Sequence, residues 1–421
     1  MDKLRVGVIV DQDYQPAEGG GYSYYNILLQ GINKFHFHPE IEIVNVVFYN
    51  KRIPQLNFTK ETIYIPGGYI SNLRNALKKT TSKYQNSFFT RQNPVLNYFA
   101  TSATNRTKKK AAELLKHHRI DLIYYLKTEL DVLNYPFIAT HWDIGHKSMD
   151  AFPEVALDGA YEKRENYYLY TLNKAFVIVC ESEAGARELK KHYSLYENKI
   201  KVVPIFGAEA FNQEVSEKEQ SEILLRYNIE KEKFFIYPSM FWPHKNHYHL
   251  ILAFNKLVLE SNDHRLKLIL CGSDKGNLQY IQQLVRSLSL TKQVIIPGFV
   301  SQNELYTFYK NATALAMPSY LGPTNMPLIE AAHLNCPVCC SDFEGHKEIL
   351  GNNALYFDPS NVDAIKNTLQ QVLDKNVRDK LRTFANEHLR KSPFNLSNSL
   401  QELEKVLLQV KSKRKTWGID D

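Results

Sequence analysis

Residues 317–342 read MPSYLGPTNMPLIEAAHLNCPVCCSD, and this stretch indicates the fold of the chain. It follows an apolar segment and continues with the turn GPTN, residues 322–325. Pro327 then opens a helical pattern, because proline is favoured in the first turn of a helix. Pro337 begins another short apolar run, which is typical of a strand. The stretch therefore predicts a strand, a turn, a helix and a second strand, the unit of a parallel α/β fold.

The same alternation of apolar runs and helical patterns extends in both directions along the chain. Two series of runs are separated by a polar segment, so we predict an α/β protein with two doubly wound, Rossmann-like domains facing a central cleft. The runs are LRVGVIV (4–10), IEIVNVVFY (41–49), LIYYL (122–126), FIAT (137–140), AFVIVC (175–180), KVVPI (201–205), KFFIYPS (233–239), LKLILCGS (266–273), QVIIPGF (293–299), ATALAMPS (312–319), CPVCCS (336–341) and ALYFDPS (354–360).

The polar, charged segment 207–233 lacks a strand pattern and marks the boundary between the two domains. A length of 421 residues also suits two domains of roughly 150–200 residues each. We assign residues 1–206 to the N-terminal domain and 207–396 to the C-terminal domain. Residues 397–421 include an amphipathic helix that can pack back on the N-terminal domain.

The composition argues against several classes of protein. No segment reaches the ~18 consecutive apolar residues that a membrane helix needs, and the apolar run 6–10 is too short for a signal peptide. We therefore expect a cytoplasmic protein whose five cysteines are reduced thiols. Cys336 and Cys339 form a CxxC pair, but no second ligand pair follows, so core packing is favoured over metal or redox chemistry.

Residues 71–119 contain eleven Lys and Arg residues and one acid, Glu113, in a chain of net charge +7. Aromatic residues are interleaved with these charges. Such a block can dock on an anionic membrane surface or a phosphorylated acceptor, or it can be a solvated surface. Binding of nucleic acid has no further support in the sequence, and we expect none.

The loops that follow parallel strands are the expected place for a ligand site. The first such loop, DQDYQPAEGGGYSYYNILLQGI (11–32), contains three consecutive glycines before a helix. Gly20 and Gly21 would let backbone N–H groups approach an anion or a sugar closely, although a tight turn is the simpler alternative. The GxGxxG spacing of dinucleotide-binding proteins is absent, which argues against a dehydrogenase.

Two loops of the C-terminal series carry polar groups suited to a nucleotide. Lys245 lies near the start of the helix after KFFIYPS, where its charge and the helix end can act on the same phosphates. The turn 322–325 can direct backbone amides toward a diphosphate. Glu330, about one turn into the next helix, can accept hydrogen bonds from ribose hydroxyls. Taken singly, these residues could also be an exposed lysine and a glutamate favoured by the helix dipole.

Together these stretches resemble the retaining GT-B glycosyltransferases of group 1 (family 4-like), in particular a subgroup with a Gly-Pro-Thr-Asn turn. The resemblance covers residues 233–360 and, more weakly, the glycine-rich loop and the segment THWDIGHKSMDAFPEV (140–155). It implies that Lys245 holds the donor pyrophosphate, Glu330 the ribose, and Gly298 and the two residues after it the base. The donor-binding residues implied are Gly20, Gly21, Lys245, Gly272, Ser273, Phe299, Val300, Gly322, Pro323, Thr324, Asn325 and Glu330.

The sequence departs from the family pattern at two positions. Gly322 stands where the family has a glutamate that contacts the donor sugar, and Met240 stands where it has an arginine. Thr324 and Asn325 can replace the hydrogen bonds of the missing glutamate. These departures keep open an alternative, a catalytically inactive module that binds a sugar nucleotide or an anionic surface.

The catalytic candidates are His141, Asp143 and His146, which follow the strand FIAT, and Lys245. The alternative for His141 is a core position. The resemblance implies a metal-independent hexosyl- or deoxyhexosyltransferase that retains the anomeric configuration and needs no cofactor. Its donor would be a UDP-, GDP- or dTDP-linked sugar, and its acceptor a glycan or lipid-linked acceptor of polysaccharide or cell-envelope biosynthesis. Such an enzyme is expected in the cytoplasm, as a peripheral protein on the inner face of the membrane.

Overall fold

Two parallel sheets form the framework of the computed structural model, which describes residues 3–49, 57–66, 94–149, 151–211 and 213–417. The strands of the first sheet are β1 Leu4–Val10, β2 Ile41–Tyr49, β3 Glu61–Pro66, β4 Leu122–Tyr124, β5 Phe137–His141, β6 Val177–Cys180 and β7 Ile200–Val202. Their order is β3-β2-β1-β4-β5-β6-β7, and all neighbours are parallel. The first sheet and its helices are called the first lobe below.

The second sheet repeats this topology with later strands. They are β8 Phe234–Pro238, β9 Lys267–Cys271, β10 Val294–Gly298, β11 Ala314–Met317, β12 Val338–Ser341 and β13 Leu355–Phe357. Their order is β10-β9-β8-β11-β12-β13, again with parallel neighbours. In each sheet the order reverses beside the first strand, between β1 and β4 and between β8 and β11, and ligands bind at such switch points. This sheet and its helices are called the second lobe.

Helices connect the strands of both sheets. The described α-helices are α1 Gly20–Lys34, α2 Pro94–His117, α3 Gly145–Ser148, α4 Pro153–Ala156, α5 Ala160–Asn166, α6 Glu183–His192, α7 Glu217–Arg226, α8 His247–Ser261, α9 Leu278–Ser287, α10 Gln302–Asn311, α11 Met326–His333, α12 Glu344–Leu350, α13 Val362–Gln371, α14 Lys375–Lys391 and α15 Leu396–Arg414.

Several inner strands are buried along their whole length, as expected for parallel sheets with helices on both faces. Every residue of β6, β11 and β12 is buried. The five cysteines are all buried and unpaired, including Cys336 and Cys339, because each lies in or beside a strand of the two sheets. This architecture confirms the predicted α/β class with two doubly wound sheets.

The last helix, α15, follows the second sheet in sequence but contacts the first lobe. Leu396 lies against Gly31 of α1, so that an added Cβ at Gly31 would approach Leu396 to 3.0 Å. The Ser399 hydroxyl donates to the carbonyl of Pro204 at 2.6 Å. Lys411 pairs with Glu40 at 2.8 Å near the end of the helix. The chain therefore crosses between the lobes twice.

The basic block of residues 71–119 is only partly described, because residues 67–93 lie outside the described ranges. Within α2, Lys108 forms an ion pair with Asp131 of the first lobe. Lys109 and Lys110 are exposed. No helix in the described part of the chain is long and apolar enough to cross a membrane.

Candidate active site between the two sheets

Lys245 lies after β8, at the switch point of the second sheet. A 3-10 helix, Pro243–Lys245, leads into α8, and Asn246 between them takes a left-handed conformation with φ of 57°. The Lys245 ammonium is 3.3 Å from Oδ1 of Asn325 and 3.5 Å from the Ser319 hydroxyl. It forms no ion pair with any carboxylate of the described residues. Burial lowers the pKa of Lys245 to about 8, and a bound anion would raise that pKa again by favouring the charged form.

The turn 322–325 follows β11 and meets Lys245 from the neighbouring strand. Gly322 has a φ of +111°, and an added Cβ would lie 2.9 Å from Nδ2 of Asn325, so this position favours glycine. Asn325 donates from Nδ2 to the Gly322 carbonyl at 3.3 Å and contacts Nε2 of the buried His346 at 3.1 Å. These contacts orient Oδ1 of Asn325 toward Lys245. The structure thus brings together two predicted donor-binding residues that are 80 positions apart.

Glu330 lies in α11 with its carboxylate buried. Oε2 accepts a hydrogen bond from the Tyr309 hydroxyl at 2.8 Å. Burial raises the pKa of Glu330 to about 7, and the hydrogen bond from Tyr309 opposes that shift. Gly207, at the crossing between the lobes, lies against this side chain, since an added Cβ there would be 3.5 Å from its Cγ. Glu330 therefore lies next to Gly207, where the chain passes from the first lobe to the second.

The loops after β9 and β10 are tied to the loop after β8. Gly272 donates from its N–H to the carbonyl of Gly298 at 2.8 Å, and the Ser273 carbonyl accepts from the N–H of Phe241 at 3.0 Å. An added Cβ at Gly272 would lie 2.3 Å from the Ser239 carbonyl oxygen, so no larger residue fits. These contacts fix three predicted donor-binding loops relative to one another.

The residues predicted to line a base follow Gly298. Phe299 is 63% exposed, which leaves its ring open for stacking, while Val300 is partly buried against the core. Pro323 packs instead toward the first lobe, 3.5 Å from an added Cβ at Gly185. The structure therefore places Phe299 at the surface of the second lobe and Pro323 at the boundary between the lobes.

The glycine-rich loop of the first lobe lies opposite the loop after β8. Gly19 has a φ of +69°, and an added Cβ would meet Met240 at 2.9 Å. Nothing lies within 4 Å of an added Cβ at Gly20, whereas one at Gly21 would be 3.2 Å from the Trp142 ring. Met240, at the position where the family pattern has arginine, is thus a contact between the lobes. Gly20 faces open space at the start of α1.

His141 ends β5 and is fully buried. Its Nδ1 lies 2.8 Å from the Tyr168 hydroxyl, which donates its own proton to the Asp143 carbonyl at 2.7 Å. Nδ1 must therefore carry the proton, and Nε2 is the acceptor. Nε2 has no hydrogen-bond partner among the described groups. Because burial lowers the pKa of His141 to about 4, the neutral ring presents an acceptor and is a weak base.

Asp143 and His146 are held by groups of the first lobe. The Asp143 carboxylate accepts from Arg164 at 2.6 Å and from the N–H of Gly145 at 2.8 Å. His146 contacts Arg164 through Nδ1 at 3.2 Å and Tyr193 through Nε2 at 2.9 Å. These two side chains brace the loop after β5, whereas His141 keeps a free nitrogen. Catalytic roles for Asp143 and His146 stay predictions.

Three contacts across the cleft involve acids that the sequence analysis did not single out. Glu154 of α4 accepts from the N–H of His244 at 3.0 Å. The Glu348 carboxylate accepts from the N–H groups of Glu183 and Ala184, at the start of α6, at 2.9 and 2.7 Å. Glu181 accepts from the Thr324 hydroxyl at 2.9 Å. Only Glu181 carried a sequence signal, since it directly follows a buried strand.

Part of the chain is similar in sequence to known glycosyltransferases. Residues 219–390 match the family model described as glycosyl transferases group 1. The O-antigen chain mannosyltransferase RfbU of Salmonella typhimurium is 36% identical over 143 residues, which are 34% of this chain and 39% of that protein. The O-antigen chain mannosyltransferase B of Escherichia coli is 28% identical over 158 residues, 37% of this chain and 41% of that protein. The chain therefore matches well under half the length of these two relatives.

Solved structures resemble the chain over nearly its whole length. A glycosyltransferase from Rickettsia africae superposes with a TM-score of 0.64 at 16% identity, covering 99% of this chain and 100% of that one. Anabaena HepE in complex with UDP and glucose gives a TM-score of 0.63 at 14% identity, covering 96% and 100%. At this level of identity the likeness concerns the fold, and it shows the GT-B arrangement of two Rossmann-like lobes.

Proposed function

We propose that the chain is a glycosyltransferase that moves a hexosyl or deoxyhexosyl group from a nucleotide sugar to a glycan or lipid-linked acceptor. The observation that carries the proposal is the Lys245 ammonium, which lies beside Asn325 at a switch point without a carboxylate partner among the described residues. A buried cation of this kind is suited to a diphosphate. Both residues, and Glu330, lie within the segment that matches the group 1 model.

In the proposed reaction the anomeric configuration is retained. A bond forms between the acceptor oxygen and the anomeric carbon while the bond from that carbon to the diphosphate breaks. The acceptor proton passes to an oxygen of the leaving diphosphate on the same face. Lys245 stabilises the developing negative charge, and His141 accepts a hydrogen bond through Nε2 without needing to take up a proton. The inactive-module alternative is not favoured, because the two relatives are named as mannosyltransferases.

Binding of nucleotide sugars tests the proposal directly. We expect one of GDP-mannose, UDP-glucose, UDP-galactose and dTDP-rhamnose to raise the melting temperature. A ligand at 100 times its Kd stabilises the fold by about 2.7 kcal/mol. The names of the relatives make GDP-mannose the first donor to test. Release of the free nucleoside diphosphate should then show transfer or slow hydrolysis. Absence of any thermal shift and of any turnover with all four donors would contradict the proposal.

We further propose that the reaction needs no divalent cation. Among the described residues, no group of three or more His, Cys, Asp or Glu side chains is arranged to hold a metal ion. Lys245 instead supplies positive charge at the diphosphate. We therefore expect turnover to change less than about twofold after dialysis against excess EDTA. A loss of activity that magnesium restores would overturn this proposal.

The acceptor side is proposed to meet an anionic membrane surface through the described part of the basic block. Lys109 and Lys110 are exposed on α2, and each base near an anionic surface contributes about 1 kcal/mol. We expect the double variant Lys109→Glu/Lys110→Glu to sediment with phosphatidylserine vesicles about tenfold less than wild type, with the difference fading at high salt. The exposed pair Lys218→Glu/Lys231→Glu is the matched control. Equal sedimentation of all three proteins would show that the basic block is only a solvated surface.

A further inference from the structure

Glu181 and Thr324 join the two lobes by a hydrogen bond across the cleft. Glu181 directly follows β6 in the first lobe, and its carboxylate is buried. Oε2 accepts a hydrogen bond at 2.9 Å from the hydroxyl of Thr324, which lies in the turn after β11. No Lys, Arg or His of the described residues forms an ion pair with Glu181. Burying a carboxylate without a counter-ion is costly, so this position needs an explanation other than stability.

The position of the Glu181 carboxylate relative to Lys245 offers a functional explanation for its burial. Lys245 contacts Asn325, the residue after Thr324, so the proposed diphosphate lies against one end of the turn. With the diphosphate in that place, a sugar attached to it would lie next to the turn. Glu181 reaches the turn from the opposite lobe through its hydrogen bond with Thr324. The turn itself presents no acid, since Gly322 has no side chain.

Unsatisfied polar groups surround the same region of the first lobe. The Tyr24 hydroxyl, Nε2 of His141 and Nε1 of Trp142 are buried without a hydrogen-bond partner among the described groups. The ring centroids of Tyr24 and Trp142 are 6.0 Å apart in an edge-on arrangement. Burial raises the pKa of Tyr24, and the nearby Glu181 adds to this shift. Buried polar groups are rarely left unpaired, so donors and acceptors gathered here indicate a ligand rich in hydroxyl groups.

We propose that Glu181 is a specificity-determining residue that binds hydroxyl groups of the donor sugar from the first lobe. This inference rests on the proposed function. In the free protein the Thr324 hydroxyl donates to Oε2 of Glu181. In the complex with the nucleotide sugar, hydroxyl groups of the sugar donate to the carboxylate. Recognition of the sugar then requires both lobes, because the second lobe holds the nucleotide and the first lobe provides the acid.

The test separates binding of the sugar from binding of the nucleotide. Calorimetric titrations with GDP and GDP-mannose, and with the three other donors and their nucleoside diphosphates, first identify the sugar that adds most affinity in wild type. Burial raises the pKa of Glu181 to about 8 in the free protein, and hydroxyl donors of a bound sugar would favour the charged form. We expect Glu181→Gln to weaken binding of that nucleotide sugar at least about tenfold, because hydrogen bonds to this charged form are lost. Binding of the nucleoside diphosphate alone should change less than about twofold. Glu181→Asp, which shortens the side chain, should give the same pattern.

The controls distinguish this role from a purely structural one. Glutamine can still accept from the Thr324 hydroxyl, so Glu181→Gln would leave sugar affinity intact if Glu181 only tied the lobes together. The exposed Glu183, two positions away, provides the matched variant Glu183→Gln, which should behave as wild type. Unchanged sugar affinity in Glu181→Gln, or an equal loss for nucleotide and nucleotide sugar, overturns the inference and leaves the proposed function standing. If no nucleotide or nucleotide sugar binds wild type, the proposed function fails, and the inference fails with it.

Discussion

Replacing Lys245 with alanine is expected to lower kcat/KM for the nucleotide-sugar donor by about 10²–10³-fold while leaving the fold intact. The ammonium has no ion-pair partner among the described residues, so its removal breaks no salt bridge. Among the described residues its hydrogen bonds go to Asn325 and Ser319, at 3.3 and 3.5 Å. Its charge is therefore available to the leaving diphosphate, where stabilisation in the transition state acts directly on the rate.

The pH dependence of donor binding provides a second readout for Lys245. Burial lowers the pKa of the free ammonium to about 8, so the side chain is charged below that pH and neutral above it. A bound diphosphate favours the charged form, and donor affinity should fall as the pH rises above about 8. Lys245→Arg stays charged and should lose this dependence. Lys256→Ala, on the exposed side of α8, is the control; a folded Lys245→Ala with wild-type donor kinetics would contradict the assignment.

Glu330→Gln is expected to raise the KM for the donor about 10–100-fold, because hydrogen bonds from ribose hydroxyls to a charged acceptor are lost. The amide oxygen of glutamine can still accept from the Tyr309 hydroxyl, so the buried contact is kept. The variant is also not expected to unfold. Burial raises the pKa of Glu330 to about 7, so the folded state holds this proton more tightly than the unfolded state does. The free energy of unfolding therefore falls as the pH rises from the usual glutamate pKa toward about 7, and Glu330→Gln removes this loss.

A comparison of GDP with 2′-deoxy-GDP, or of the matching pair for another base, isolates the ribose contact. Wild type should bind the deoxynucleotide more weakly than the nucleotide, and Glu330→Gln should bind the two alike. Tyr309→Phe removes the neighbouring hydroxyl but leaves the carboxylate, so it should keep the discrimination. The same ratio of affinities in wild type and in Glu330→Gln would exclude a ribose contact by Glu330.

The sequence was sufficient to predict the fold because local and global signals agree. Buried runs such as β11 and β12 alternate with capped helices. Ser182, for example, accepts from the N–H of Gly185 at 3.0 Å at the start of α6. The rule that ligands lie beyond the carboxyl ends of parallel strands also directed attention to the loops that hold Lys245 and Asn325. Their contact itself depends on strand order, because β8 and β11 are neighbours only in the folded sheet.

The distinction among the three candidates after β5 could not be predicted. In sequence, His141, Asp143 and His146 are equivalent polar residues at a strand end. In the structure, Arg164 and Tyr193 from later elements satisfy Asp143 and His146 and leave Nε2 of His141 free. Those partners are 21 and 47 positions away, and no pattern within residues 140–155 reveals them.

Contacts between the lobes likewise could not be predicted from the sequence, since they depend on the relative orientation of two separately folded sheets. Met240 illustrates this limit. In sequence it is only a missing arginine, whereas in the structure it contacts Gly19, whose positive φ and lack of a side chain make room for it. Glu181 and Thr324, 143 positions apart, meet for the same reason.

The position of α15 has a consequence for the order in which the protein can be completed during synthesis. Ser399, which bonds to the Pro204 carbonyl, lies 195 positions after it. At ribosomal rates of about 5–20 residues per second, roughly 10–40 s separate the appearance of these two residues. Throughout that interval the α1 surface around Gly31 is not packed against α15. The first lobe can therefore complete its packing only after the second lobe has been synthesised and α15 has emerged.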